Sequence, residues 1–260
     1  MKLAVNLSMI FTEVPLIERF ALARKHGFEH VEIQFPYELS IADIKKQLKK
    51  HKLSLCLINA PAGDLMQGGN GLAGVPGQEV VFRNAIELAL EYAQALNVPS
   101  INILAGKQPT DADLLPCLRV LAENLKLACS RLSEHNIQPL IEMINGTDMP
   151  RFLVQNIAQG QEMLEAVQHP ALKLQYDCYH MAMMGEDVLA ELADNLEHIG
   201  HIQFADYPHR HEPDDADINF KALFQYVEQS DYNGFIAAEY KPKKGSSQSF
   251  AWKEKYFASH

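Results

Sequence analysis

Short apolar runs rich in β-branched residues recur eight times along the chain, and longer amphipathic stretches separate them. The runs are predicted to be strands at 3–9, 30–35, 53–60, 100–106, 139–145, 172–178, 199–206 and 234–240. Between and after them, the spacing of apolar residues predicts helices at 14–27, 41–52, 78–97, 111–136, 158–168, 187–198 and 219–230. Such regular alternation of strand and helix is typical of a parallel sheet.

Eight strand–helix units predict an α/β fold, the (β/α)8 TIM barrel, in which the strands close into a cylinder inside a ring of helices. Such barrels commonly use about 250 residues as one domain, and this chain has 260. No linker interrupts it, so we predict one TIM-barrel domain over 1–260. A doubly wound open sheet is the alternative, but the stretch NLSMIFTEV after the first strand lacks the glycines of a dinucleotide-binding loop.

Charge and cysteine usage narrow the class of protein. The net charge of −10 disfavours nucleic acid as a partner, because phosphate contacts need a basic surface. No run approaches the roughly 18 apolar residues of a membrane span, and the N-terminus lacks a signal-peptide pattern. The four cysteines form no CxxC pair and are interpreted as reduced thiols. We predict a cytoplasmic protein without nucleic-acid or membrane binding; a homo-oligomer is left open.

One long loop follows the third predicted strand. Residues 60–77 contain six of the 14 glycines, and no GK[ST] follows, so the segment is not a phosphate-binding loop. A mobile surface loop is one interpretation. In a barrel this loop lies on the catalytic face, so we favour the interpretation that it is a lid over the site.

Polar residues recur at the ends of the later predicted strands. In a barrel, the carboxyl ends of the strands converge on one mouth, where catalytic residues are found. Each residue alone has a structural explanation, as a paired carboxylate or a turn residue, but their recurrence at the same place in successive units favours a shared site. Within or at the end of the strands lie Glu142, Asp177, Gln203 and Glu239, and near or after the ends lie Lys107, His180, Asp206, His209, Arg210 and Lys241.

Three carboxylates and one carboxamide are therefore expected at the mouth. Like charges in an apolar setting need a cation. Oxygen ligands suit a hard divalent ion, so we predict one bound metal, Mg²⁺ or Mn²⁺ first and Co²⁺ or Zn²⁺ as alternatives. The absence of Cys and His from the inner four argues against a structural zinc site.

A metal between Glu142 and Glu239 would bind a carbonyl and a neighbouring hydroxyl of one substrate and stabilise an enediolate. One glutamate would remove the proton next to the carbonyl, and it or its partner would return a proton to the adjacent carbon. This chemistry is that of an isomerase or epimerase. The nearby cations Lys107, His209, Arg210 and Lys241 would hold a substrate carboxylate, with arginine suited to a bidentate contact.

The chain resembles the hydroxypyruvate isomerases and 2-oxo-tetronate isomerases of the xylose isomerase-like barrel superfamily. The resemblance covers residues 6 to 242. The matching segments identify the family only when taken together, since no single segment is specific to it. These are NLSMIFTEVP, GFEHVEIQFPY, NAPAGD, GVPGQE, LIEMIN, QYDCYHM, HIQFADYPHRHEPDDADIN, SDYNGF and EYKP.

The resemblance implies one divalent metal bound by Glu142, Asp177, Gln203 and Glu239, with the two glutamates as the acid–base pair. It also implies substrate contacts by His180 and by His209 or Arg210, and more weakly by Lys107 and Lys241.

Two departures from related sequences bear on metal and substrate. Gln203 stands where many relatives in the superfamily have His, which favours Mg²⁺ or Mn²⁺ over softer ions. Ile58 stands where some hydroxypyruvate isomerases have His. The expected substrate is a small oxo acid, either hydroxypyruvate, giving tartronate semialdehyde, or a four-carbon 2-oxo-tetronate. The competing functions are a ketose 3-epimerase, a multi-zinc endonuclease and a non-catalytic barrel that binds a sugar acid.

Overall fold

The computed structural model describes residues 1–214 and 217–257. Its eight parallel strands close into one barrel in chain order, which confirms the predicted fold class. Residues 215, 216 and 258–260 of the predicted domain, the first two within segment 201–219, lie outside the described residues. The strands are β1 Lys2–Asn6, β2 His30–Ile33, β3 Ser54–Asn59, β4 Ser100–Ile103, β5 Gln138–Glu142, β6 Lys173–Asp177, β7 Ile199–Phe204 and β8 Phe235–Ala238.

Nine α-helices occur in the described part of the chain, and the seven predicted ones are among them. Helix α2 begins where predicted, since the hydroxyl of Ser40 accepts the N–H of Asp43 and caps its first turn. The helices are α1 Leu16–Lys25, α2 Ile41–His51, α3 Glu79–Leu96, α4 Leu114–Ser133, α5 Ile157–Val167, α6 Cys178–Met183, α7 Val188–Asp194, α8 Phe220–Gln229 and α9 Ala251–Phe257.

The two helices that the sequence pattern missed are short. Helix α6 starts directly after β6, where the carboxylate of Asp177 accepts the N–H of Tyr179 at 3.0 Å. Its first four residues are buried, so it shows no polar face and resembles a continuation of the strand. Helix α9 has seven residues, too few for a helical period to stand out, and buries Trp252.

An apolar layer fills the barrel below the carboxyl ends of the strands. Ala4, Leu57, Leu140 and Ala237 are buried and packed in one cluster. Each lies two residues before a polar residue on the same strand or just past its end, and side chains two apart point to the same side of a strand. The apolar layer therefore supports a polar layer above it. The larger core lies between the barrel and its helices.

Loop 60–77 packs against the segment that follows β4. The N–H of Lys107 donates to the carbonyl of Asn70 at 2.8 Å, and Leu65 and Leu72 are buried. Gly106 has φ +85°, and a Cβ there would lie 2.7 Å from the Asn70 carbonyl oxygen, so the close approach requires glycine. That the loop closes as a lid stays a prediction.

All four cysteines are buried and free, in agreement with their interpretation as unpaired thiols. None of the helices in residues 1–214 and 217–257 is both long and apolar enough to cross a membrane.

Candidate active site

Every strand contributes a polar side chain to the carboxyl end of the barrel. The register of the strands places polar residues of adjacent strands at the same height in the barrel. Asn6 pairs with Glu32, and Asp177 pairs with Gln203. The mouth is thus polar on its whole circumference, and strands β6 and β7 are also polar one level lower, at Gln175 and His201. The eight residues are at most 5% exposed: Asn6, Glu32, Asn59, Asn102, Glu142, Asp177, Gln203 and Glu239.

Arg210 joins two of the predicted metal ligands. Its Nη2 donates to Asp177 Oδ2 at 2.9 Å and to Glu239 Oε2 at 2.6 Å. The guanidinium lies over the ring of Tyr179, 5.0 Å from its centroid. The residue comes from the loop after β7 and takes φ 57°, in the left-handed region. The loop therefore delivers a cation into a group of buried carboxylates.

Burial makes these carboxylates reluctant to ionise. Burial, reinforced by the charge of Asp177, raises the pKa of Glu142 to about 8. Burial also raises the pKa of Asp177 and, much further, that of Glu239, although Arg210 opposes both shifts. Burial alone would lower the pKa of Arg210, but the three carboxylates more than offset it and raise that pKa. One guanidinium thus does not offset the cost of ionising all three buried carboxyl groups.

The tautomer of His180 follows from the fixed amide of Asn145. The oxygen of that amide accepts the backbone N–H groups of Thr147 and Asp148, at 3.0 and 2.8 Å. Its nitrogen therefore faces His180 and donates to Nδ1 at 2.6 Å. Because Nδ1 accepts, the proton of the neutral ring lies on Nε2. Burial, with the nearby Arg210, lowers the pKa of His180 well below its usual value, so the ring is neutral.

The protonated nitrogen of His180 points towards two carboxylates. Nε2 lies 3.6 Å from Asp177 Oδ2 and 4.0 Å from Glu142 Oε1. These distances exceed a hydrogen bond, which leaves Nε2–H available as a donor. A nitrogen that carries a proton cannot ligate a metal, so this tautomer favours a substrate contact over a ligand role.

Gln203 is held by its amide nitrogen. That nitrogen donates to Glu32 Oε1 at 2.7 Å, and the amide oxygen accepts from Gln175 at 2.8 Å. An amide oxygen has two lone pairs, so one remains free for a ligand. Glu142 is held similarly, since Asn102 donates to its Oε2 at 2.7 Å and also to the oxygen of Asn59 at 3.2 Å.

A cavity of about 90 Å³ opens at the mouth, and two predicted metal ligands, Asp177 and Gln203, are not among the residues that line it. Both predicted catalytic glutamates, Glu142 and Glu239, line it, as do His180 and Arg210. Met66 from loop 60–77 also contributes to its wall. The remaining lining includes Gln34, Phe35, Asn59, Leu104, Ile144, Asp148 and Met149.

Three predicted substrate residues lie away from this cavity. His209 is exposed, and its ring lies tilted beside that of His211, with ring centroids 5.8 Å apart. The amine of Lys107 donates to the carbonyl of Gly68 at 3.2 Å. Lys241 is exposed, and its backbone N–H donates to the carbonyl of Arg210 at 2.7 Å. The backbone of Lys241 thus supports Arg210, whereas its side chain lines no part of the cavity.

The donor set fits a divalent ion. In the described residues, ligand atoms of Glu142, Asp177 and His180 lie within 4.8 Å of one another. Oxygen donors from Glu142, Asp177, Glu239 and Gln203 are the type that Mg²⁺ and Mn²⁺ prefer. A divalent ion would stabilise the ionised form of these buried carboxyl groups beyond what Arg210 achieves, provided that Arg210 yields the oxygens it now contacts.

Sequence reasoning missed the polar residues of the first strands. Asn6, Glu32, Asn59 and Asn102 each interrupt an apolar strand near its carboxyl end, which is the same signal that marked Glu142. Asn145 carried no such signal, because it follows β5 and acts on His180, 35 residues away in sequence.

The chain is similar in sequence to known isomerases. The family profile described as xylose isomerase-like TIM barrel matches residues 20–256. The chain is 39% identical to the 2-oxo-tetronate isomerase of Cupriavidus necator, over 98% of each protein. It is also 39% identical to the hydroxypyruvate isomerase of Escherichia coli, over 98% of this chain and 99% of that protein.

Solved structures share the architecture. A Brucella melitensis protein described as an AP endonuclease of family 2 superposes with a TM-score of 0.94, at 34% identity and 98% coverage of both chains. The 3-keto-D-glucoside 4-epimerase of Escherichia coli superposes with a TM-score of 0.82, at 19% identity over 98% of this chain and 99% of that one. The second similarity is one of fold.

Proposed function

The chain belongs to the xylose isomerase-like TIM barrel family and is an isomerase. We propose that it interconverts hydroxypyruvate and tartronate semialdehyde, and thus acts on a small hydroxy-oxo acid. We further propose that it uses a divalent metal and works in the cytoplasm. The observation that carries the proposal is the pair of buried glutamates, Glu142 and Glu239, on one cavity of about 90 Å³. Two carboxyl groups on one small cavity suit the transfer of a proton between neighbouring carbons.

The proposed acid–base pair is tuned by burial. Glu142 has a pKa raised to about 8, and the pKa of Glu239 is raised well above its usual value. Groups that hold protons near neutral pH can both remove and return them, which an ordinary surface glutamate does poorly. One glutamate removes the proton next to the carbonyl, giving an enediolate, and the same or the other glutamate returns a proton to the adjacent carbon.

The other cavity residues would bind and orient the acid. Arg210 presents a guanidinium suited to two parallel hydrogen bonds with a carboxylate. His180 offers Nε2–H to a substrate oxygen, held in that tautomer by Asn145. Phe35, Leu104 and Ile144 would exclude water from the reacting carbons.

Glu142, Asp177, Gln203 and Glu239 would hold the metal. A divalent ion, when bound there, supplies a Lewis acid that favours removal of the proton next to a carbonyl. Mg²⁺ or Mn²⁺ suits the four oxygen donors best.

The alternative substrate is a four-carbon 2-oxo-tetronate, and a ketose 3-epimerase activity is a third candidate. The two relatives named for these acids are equally similar to the chain, at 39% identity, so they favour neither acid. The small cavity favours the three-carbon acid over a longer ketose.

Deuterium exchange tests the reaction directly. Protein loaded with Mg²⁺ or Mn²⁺ should introduce deuterium from D₂O at the carbon next to the carbonyl of hydroxypyruvate, seen as loss of its proton NMR signal. Glu142→Gln and Glu239→Gln should each lower this rate by about 10²–10⁴-fold. Glu228→Gln, a change on the exposed face of α8, is the matched control. No exchange with hydroxypyruvate, 2-oxo-tetronate or a ketose would exclude the isomerase proposal.

The name of the Brucella structure favours an endonuclease as a second candidate. Its test is zinc content well above one ion per chain together with binding of abasic DNA. The net charge of −10 opposes this candidate, since phosphate contacts need cations.

A further inference from the structure

We propose that Glu32 is a positioning residue for the metal site, orienting Gln203 directly and Glu239 through Asn6. The proposal rests on the proposed function, because it concerns two of the residues that would bind the metal. Glu32 itself lines no part of the cavity and touches none of the reacting groups. Its role is to fix which atom the amide of Gln203 presents and to hold the amide of Asn6 beside Glu239.

Glu32 is a fully buried carboxylate with three hydrogen-bond donors. Oε1 accepts from Asn6 Nδ2 at 2.8 Å and from Gln203 Nε2 at 2.7 Å. Oε2 lies 2.7 Å from His201 Nε2. Asn6 comes from the neighbouring strand β1, whereas Gln203 and His201 come from β7, so their contacts with Glu32 cross the barrel. A buried carboxylate is costly unless several donors satisfy it, and these three do so.

The orientation of Gln203 depends on this contact. A carboxamide can bind a metal through its oxygen but not through its NH₂ group. Glu32 can only accept, so it selects the rotamer in which the nitrogen of Gln203 turns towards it. The oxygen is then directed away, where it accepts one hydrogen bond from Gln175 and keeps a free lone pair.

Asn6 is one of three groups that orient Glu239, since Gln34 donates to the same carboxylate oxygen at 2.9 Å and Arg210 donates to the other at 2.6 Å. The amide oxygen of Asn6 accepts the backbone N–H groups of Ser8 and Met9, at 2.8 and 3.2 Å. Its nitrogen is therefore fixed as a donor and bridges Glu32 Oε1 and Glu239 Oε1, the latter at 2.7 Å. Glu32 thus anchors the amide that bridges the two carboxylates across β1.

Removing the carboxylate should weaken metal binding without removing a ligand. In Glu32→Met, the amides of Gln203 and Asn6 lose their shared acceptor, and Gln203 is free to turn its NH₂ group towards the metal. Loss of such outer contacts typically lowers metal affinity by about 10–100-fold. Glu32→Gln keeps the shape and one acceptor oxygen, and His201 can accept from its new NH₂ group by changing tautomer. Its loss should be smaller, about 3–10-fold.

The test is Mn²⁺ binding measured by calorimetry and by electron paramagnetic resonance of free Mn²⁺, with no substrate present. Wild-type protein, Glu32→Gln and Glu32→Met are compared, with Glu29→Gln, an exposed glutamate just before β2, as the control. Thermal melting in chelator is recorded in parallel. Because Glu32→Gln is isosteric, its affinity is measurable even where Glu32→Met does not fold.

The expected order of affinity is wild type and Glu29→Gln first, then Glu32→Gln, then Glu32→Met. Unchanged Mn²⁺ affinity in a folded Glu32→Gln protein, with or without a lower melting temperature, would overturn the positioning role alone. A wild-type protein that binds no Mn²⁺ would overturn both this role and the metal part of the proposed function.

Discussion

Arg210 Nη2 lies 2.6 Å from Glu239 Oε2, closer than the 2.9 Å that separates it from Asp177 Oδ2. One guanidinium nitrogen therefore occupies oxygens of both carboxylates that the proposed metal would use. A divalent ion bound to Asp177 and Glu239 would displace Arg210 from these two carboxylates. The carboxylate of the substrate would then bind Arg210 in their place. This relationship predicts that the two ligands bind cooperatively.

Arg210→Met should bind Mn²⁺ more tightly than the wild-type protein in the absence of substrate, by about fivefold or more. The cause is removal of a competing cation from Asp177 and Glu239. The same variant should raise KM for the oxo acid by about 100-fold, because a buried charge contact is lost. Calorimetry and steady-state kinetics measure the two effects. Arg119→Met, on the exposed surface of α4, is the control; equal Mn²⁺ affinity in both variants contradicts the competition.

Asn145→Asp should reverse the tautomer of His180. One oxygen of the new carboxylate can still accept the N–H groups of Thr147 and Asp148, while the other accepts a proton from Nδ1. The Nε2 lone pair then faces the carboxylates, and Zn²⁺ should bind about 10–100-fold more tightly, with less change for Mn²⁺. Nitrogen-15 shifts of the ring report the tautomer. A wild-type ring protonated on Nδ1 would contradict the assignment.

The metal-free protein should lose stability as pH rises from about 5 to 8. The pKa of Glu142 is raised from 4.5 to about 8, so the folded protein keeps a proton that the unfolded chain releases. Stability from this group is full below pH 4.5 and is lost as pH approaches 8. Melting temperature in chelator should fall less steeply with pH for Glu142→Gln. An equal slope in this variant and in Glu228→Gln would show that Glu142 does not hold the proton.

Gly106→Ala should destabilise the protein by about 2–3 kcal/mol, from left-handed strain and from contact with the Asn70 carbonyl. Gly185→Ala is the matched control, since Gly185 has φ +78° with open space around its Cβ position. Its cost should be about 1 kcal/mol. Urea denaturation gives both values, and equal losses would mean that loop 60–77 moves aside without cost.

The barrel could be predicted because each strand–helix unit carries its own periodicity, and polar residues that end apolar strands mark the mouth. Asn6 and Glu32 are also polar residues near the ends of apolar strands, but they lie on the first two strands, where no catalytic residue was expected. The contact of Arg210 with Asp177 and Glu239 could not be predicted. It depends on the path of the loop after β7, which local sequence does not encode. Helix α6 was hidden because its buried residues leave no amphipathic pattern.

The hydrogen bond from Asn6 to Glu239 joins residues 233 positions apart. At synthesis rates of about 5–20 residues per second, roughly 12–47 s separate the two residues as the chain emerges. Through that interval β1 has no β8 beside it, so any sheet formed by the emerging strands has an unpaired edge. Ligands that bind the finished mouth can therefore stabilise the fold only after β8 has joined β1.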